Sequence, residues 1–155
     1  MKRAINLEAA ASTTQLSKRT LWRRLSEGRI TRQADDSEGR TMLTFEDVVP
    51  ALCIPMEQED HDLVIEAAAG DAGAQTDLAL LFLDSGKADI GLHWLTLAAD
   101  QGHPDAMHYL SKLYIQGCSV PKNDSLGLMW LAKAASLGHI IANEQITALT
   151  RVGKA

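Results

Sequence analysis

Small and apolar residues recur along the second half of the chain with a helical period. Three glycines, Gly70, Gly102 and Gly138, are each followed after four residues by an alanine: Ala74, Ala106, Ala142. An apolar residue comes four further on (Leu78, Leu110, Ile146), and a leucine three after that (Leu81, Leu113, Leu149). Steps of four and three put these side chains on one face of an α-helix. The copies lie 32 and then 36 residues apart. Each interval also holds a second periodic segment: Ile90, Trp94, Leu97 and Ala98 in one copy, Leu126, Trp130, Leu131 and Ala134 in the next. One helix hairpin cannot bury such a face alone, whereas stacked hairpins can, so the pattern predicts an α-solenoid. Alanines are expected where helices approach closely, and Trp94 and Trp130 where a gap in the core must be filled. Gly102 and Gly138 fall just past a helix end, where a left-handed residue turns the chain.

The first 54 residues are patterned differently. Ile5, Leu7 and Ala10 suit the inner face of a short first helix, and Ser12-Thr13-Thr14-Gln15 has the chemistry of a turn. Leu16 is expected to tuck inward. Ser17 is a good N-cap for a helix reaching Glu27, with Leu21 and Leu25 on one face and Lys18, Arg19, Arg23 and Arg24 over much of the rest. Gly28 ends that helix. Residues 30–34 and 40–44 read as short strands around the polar turn Asp35-Asp36-Ser37-Glu38-Gly39. Thr44 is placed to cap a further helix, with Asp47 in a capping-box position and Val48, Val49 and Leu52 as its apolar face.

In residues 98–142, Leu113-Tyr114, the loop Gly117-Cys118-Ser119-Val120-Pro121-Lys122-Asn123, Trp130, and Lys133-Ala134-Ala135-Ser136-Leu137-Gly138 resemble the Sel1-like repeat, a relative of the tetratricopeptide repeat. Ser119 stands where that family has a second loop glycine, and the preceding copy lacks four loop residues and the Val-Pro. The resemblance covers about residues 63–150. It implies a two-repeat α-solenoid with a final helix near 141–150, and a role in protein binding and assembly rather than a reaction.

The segment SKRTLWRRLSEGRI, residues 17–30, resembles the second helix of the excisionase and MerR-type DNA-binding domains. The hairpin and Thr44-Phe45-Glu46-Asp47-Val48 extend the likeness over about residues 5–52. It implies a winged helix-turn-helix, with a recognition helix in the major groove and a wing on the backbone. Carried over residue by residue, Arg19, Arg23 and Arg24 become candidate groove or phosphate contacts, and Lys18 and Arg29 phosphate contacts. Arg32 and Arg40 flank the wing. The expected protein is thus mainly α: a small winged helix-turn-helix at 1–54, an acidic linker at 55–62, and a repeat solenoid with a terminal helix at 63–155.

Charge sharpens this division. Residues 1–54 hold nine Lys/Arg against seven Asp/Glu, while residues 55–155 hold six against thirteen. The wing tip itself is acidic, at Asp35, Asp36 and Glu38. Phosphates repel such a tip, because affinity for DNA comes largely from neutralising phosphates. The net charge of the whole, −5, argues the same way.

The remaining chemistry is sparse. No run of about 18 apolar residues offers a membrane span. The opening MKRAINLEAAAS is interrupted by Asn6 and Glu8, so it does not read as a signal peptide. Cys53 and Cys118 lie in different modules and read as reduced thiols of a cytoplasmic protein. His93, His103, His108 and His139 lack the spacing and third ligand of a metal site. Cys118 has no base beside it in sequence, and there is no phosphate loop, dinucleotide turn or catalytic carboxylate pair. No catalytic residue, metal or cofactor is therefore assigned. Two functions remain: a small bacterial-type regulator that binds duplex DNA through the first module and a protein through the second, and a non-enzymatic adaptor that uses both modules on proteins. The short exposed ends of a two-repeat array also allow a homodimer.

Overall fold

A computed structural model describes residues 2–152, which divide into two compact units, Met1–Gly70 and Asp71–Ala155. The first unit runs β1 (Ala4–Asn6), α1 (Leu7–Thr14), α2 (Lys18–Ser26), β2 (Arg32–Gln33), β3 (Met42–Thr44), α3 (Phe45–Val48) with a 3-10 turn at Val49–Ala51, and α4 (Gln58–Ala68). Its sheet has the order β1-β3-β2 and is antiparallel throughout. Leu43 stands opposite both Ile5 and Arg32. The core gathers Ile5, Leu21, Leu43 and Phe45, all fully buried, with Val48 and Val64.

Several local expectations shift. Ile5 lies on a strand, and the first helix starts only at Leu7, because Asn6 caps it by accepting from the Ala9 N–H at 2.8 Å. The amide of Asn6 also donates to the Ala68 carbonyl at 2.9 Å, which fastens the end of α4 to the sheet. Gln15, with φ of 60°, turns the chain out of α1, and Ser17 then caps α2 by accepting from the Thr20 N–H. The two hairpin strands are shorter than expected. Asp36 accepts from the backbone N–H of Glu38 and of Arg40 and holds the turn closed, so pairing begins only at Gln33 and Met42. Thr44 precedes α3 but makes no cap, since its hydroxyl is held by Gln33 at 3.1 Å. Asp47 turns away to accept from the Thr31 N–H. Pro50 lacks a donor, and the helix tightens to a 3-10 turn there.

The acidic stretch 55–62 is not an open linker from Gln58 onward. Glu57 and Asp60 form a reciprocal capping box, and Glu59 and Asp60 sit in the first turn of α4, where the helix dipole favours carboxylates. Arg3 pairs with both Glu46 and Asp62, so α4 belongs to the first unit, which extends to Gly70.

The second unit is helical: α5 (Ala72–Asp84), α6 (Ala88–Asp100), α7 (Pro104–Gln116), α8 (Asp124–Ser136) and α9 (Ile140–Val152). They stack as pairs α5–α6 and α7–α8, followed by α9. Gly102 and Gly138 have φ of 88° and 87°, the left-handed conformation that the turn between pairs requires. Within each pair the helices touch at a glycine. A methyl group at Gly127 would come within 2.5 Å of Ile115 and 3.1 Å of the Ser111 carbonyl. One at Gly91 would come within 2.6 Å of Leu83 and 3.0 Å of the Ala79 carbonyl. Ala98, Ala106, Ala134 and Ala142 are fully buried, as the repeat pattern demands.

The two repeat tryptophans differ. Trp94 is 2% exposed, but Trp130 is only half-buried, with the Lys133 ammonium 4.9 Å from its ring centre. Trp94→Ala should cost about 3–5 kcal/mol in denaturant melts and Trp130→Ala clearly less; equal losses would contradict this asymmetry. Gly127→Ala should cost about 1–3 kcal/mol, because a backbone carbonyl cannot move aside as a side chain can.

Candidate interaction surfaces

In the first unit, Leu21 pins α2 to the core and turns Lys18, Arg19, Trp22, Arg23 and Ser26 outward. Most of the basic residues singled out by sequence already face a carboxylate. Lys18 pairs with Glu8. Glu27 receives Arg29 at 3.2 Å and Arg23 at 3.9 Å. Arg32 meets Asp35 at 3.0 Å, and Arg40 folds onto Asp36 at 2.6 Å and Glu38 at 3.5 Å. Arg19 is exposed and has no ion pair among the described residues. Arg24 is half-buried, and its Nε is enclosed without a hydrogen-bond partner. The hairpin acids are unequal. The Arg40 N–H holds the Asp36 carboxyl below the usual carboxylate range, aided by the Arg40 side chain and the Glu38 N–H, so Asp36 is part of the turn. Trp22 is 44% exposed at the centre of the outer face of α2. The Arg32 guanidinium from the hairpin lies 5.8 Å from its ring centre.

In the second unit, the first helices of successive pairs line a groove of about 560 Å³. Asp77 and Leu80 come from α5, His108, Tyr109 and Lys112 from α7, and Ile141 from α9. Imidazoles build its rim. His103 Nδ1 accepts from the Ala106 N–H at 3.4 Å, and His139 Nδ1 from the Ala142 N–H at 3.1 Å. Asp71 does the same for Ala74 at 2.7 Å. The motif of glycine, His or Asp, two residues, and alanine is therefore a turn followed by an N-cap. With Nδ1 accepting, the proton of His139 sits on Nε2, which reaches Asp105 at 3.2 Å. His108 stacks on His139 with ring centres 4.5 Å apart, and its Nε2 lies 3.1 Å from Gln145 Oε1. Lys112 stands over Tyr109 at 5.8 Å. A second, mainly apolar groove of about 670 Å³ opens among α7, α8 and α9.

With these turns, caps and glycine contacts in place, the comparisons with known proteins are specific. The Sel1 repeat matches residues 72–103 and 104–139, which are the two helix pairs with their closing turns. The crystal structure of a Sel1 repeat protein from Oxalobacter formigenes is similar at a TM-score of 0.52 and 31% sequence identity, over 56% of this chain and 68% of that one. The chain belongs to the Sel1 repeat family. No curated protein sequence matches it significantly. The Sel1 unit is a protein-interaction domain, and the first unit lies outside the matched repeats.

Sequence reasoning placed the Sel1 glycines and alanines but assigned the adjacent histidines no task. The signal was present, since Asp71, His103 and His139 occupy one repeat position and Asp is a preferred N-cap. The carboxylate partners of Arg23, Arg32 and Arg40 were also signalled, by spacings of three and four, whereas Glu8 and Lys18 meet only once the helices turn on each other. Among the described residues, no three His, Cys, Asp or Glu side chains gather as a metal site needs. No single described helix is long and apolar enough to cross a membrane.

Burial holds the His108 imidazole below its ordinary value of 6.5, with the Gln145 hydrogen bond opposing and His139 adding to the shift. The unfolded chain then binds this proton more readily than the folded one. The contribution of neutral His108 is complete above about 6.5 and is lost as pH falls toward and through the lower folded value. The melting temperature should fall on acidification through this window, and His108→Gln should flatten that slope. An unchanged slope would assign the pH dependence elsewhere.

Proposed function

We propose that the chain is a non-catalytic, cytoplasmic regulator whose first unit docks on duplex DNA and whose Sel1 unit holds a protein partner. The observation that carries this reading is the outer face of α2. Lys18, Arg19 and Arg23 project there around Trp22, on a helix that follows a three-residue turn and precedes a β-hairpin in a β1-β3-β2 sheet. A winged helix-turn-helix presents its recognition helix this way. The ion pairs on that face do not forbid DNA. Exposed pairs are worth about 0–1 kcal/mol, so a phosphate oxygen can replace a carboxylate. On this reading Arg19 and Arg23 make the main contacts, and Arg24, half-buried, supports the helix.

The pairing of Lys18, Arg23, Arg29, Arg32 and Arg40 with acids supports a second reading, an adaptor without nucleic acid. There the Trp22 and arginine face would be a protein contact, since Trp and Arg dominate interface hot spots.

Fluorescence anisotropy with labelled random and selected duplexes over a salt series separates the two. Wild type should bind with a linear log–log salt dependence, and Arg19→Ala with Arg23→Ala should lower that slope by about two. Asp35→Asn with Glu38→Gln should tighten binding, while Asp36, which holds the hairpin turn, is left intact. If neither wild type nor the hairpin variant binds any duplex at low salt, the adaptor reading replaces the regulator.

A further inference from the structure

The last helix carries an apolar stripe that the Sel1 fold does not ask for. Ile141, Leu149 and Val152 are 54%, 52% and 76% exposed, and Ala148 is exposed beside them. The repeat supplies its own control. Where α9 has Ile141, Ala148 and Val152, α7 has Asp105, Lys112 and Gln116, and α5 has Gly73, Leu80 and Asp84. Nor is the stripe on the side by which α7 packs on α8. Met107 and Ser111 are buried in α7 on the side where α8 packs, and α9 has exposed Asn143 and Thr147 at those positions. The apolar stripe lies on a different side of α9.

Charge says what fits the stripe. Glu144 and Arg151 stand two turns apart along one flank, both exposed and without an ion pair among the described residues. The midpoint between them falls between Thr147 and Ala148, close to the middle of α9. A twofold axis there lays α9 antiparallel to α9 of a second copy and sets Glu144 of each opposite Arg151 of the other. Opposite charges equidistant from an axis complement themselves, as an isologous contact requires. Small Ala148 beside the axis permits close approach, and Ile141 and Val152 are covered toward the two ends. The 670 Å³ groove, floored by Ile115, Leu128 and Leu131 and walled by Ala148 and Leu149, is lined from the same side of α9.

We propose that α9 is a dimerisation helix, through which two copies of the chain pair antiparallel over the Ile141–Ala148–Val152 stripe, held by reciprocal Glu144–Arg151 ion pairs. This goes beyond the DNA-binding reading and does not rest on it.

Light scattering on the full chain tests it. Wild type at tens of micromolar in moderate salt should give twice the chain mass of 16.8 kDa. Glu144→Arg alone, or Arg151→Glu alone, sets like charges against each other at both pairs and should halve that mass. An equimolar mixture of the two variants makes every cross pair opposite again and should restore the doubled mass. A wild type at single-chain mass overturns the proposal. So does a dimer indifferent to both reversals, or a mixture that stays at single-chain mass.

Discussion

In each helix pair of the second unit, a glycine without a side chain lets the backbone of one helix rest directly on its neighbour. Gly127 sits against Ser111 and Ile115, and Gly91 against Ala79 and Leu83. This close approach sets the terms for what surrounds it. Helices that near leave room only for small residues along the rest of the seam, hence the buried Ala98, Ala134 and Ala106. Small residues bury little apolar area each, so larger side chains must close the gaps, as Trp94, Leu95 and Leu110 do. The turns must also return the chain at a fixed angle. A left-handed glycine and a side-chain N-cap achieve this together, because the glycine reverses the backbone and the His or Asp satisfies a helix N–H that would otherwise be orphaned.

The first unit is held together by other means. Its sheet is short, and polar ties do much of the fastening: Asn6 to Ala68, Arg3 to Glu46 and Asp62, Asp47 to Thr31. On its surface, basic and acidic residues alternate closely enough to pair locally. That pairing reduces the positive charge of the outer face of α2 without cancelling it, since Glu27 serves both Arg23 and Arg29 and Arg19 stands unpaired among the described residues. Long-range attraction to DNA is weakened by such an arrangement more than short-range recognition is, because screening and self-pairing act on the summed field while contact geometry acts on each guanidinium. Trp22 adds a rigid aromatic surface in the middle of that face.

The array ends asymmetrically. At its start Asp71 caps α5 as the histidines cap α7 and α9. At its end α9 trades the apolar packing side of α7 for Asn143 and Thr147 and carries its apolar residues elsewhere. The displaced stripe offers a contact of different geometry.

Period and residue size determined the repeat from sequence alone. Spacings of four and three, glycines at the turns and alanines in phase are local facts, and a solenoid contacts mainly its sequence neighbours, so local facts decide it. The caps of α1, α2 and α9 are equally local. Ser17, Asn6 and His139 each bond a backbone N–H three residues on, yet Asn6 was hidden because Ile5 before it suits a helix face as well as a strand. Tertiary structure alone decided the rest. Trp130 shares a motif with Trp94 yet is half-buried, because burial is set by the surrounding elements and not by the motif. The acidic stretch before Leu63 became a capped helix of the first unit because Arg3 and Asn6, some 60 residues away, hold it there. The ion pairs of the α2 face divide the same way: Arg23 with Glu27, Arg32 with Asp35 and Arg40 with Asp36 lie three or four residues apart and follow from spacing, whereas Lys18 meets Glu8 only because α1 and α2 pack together.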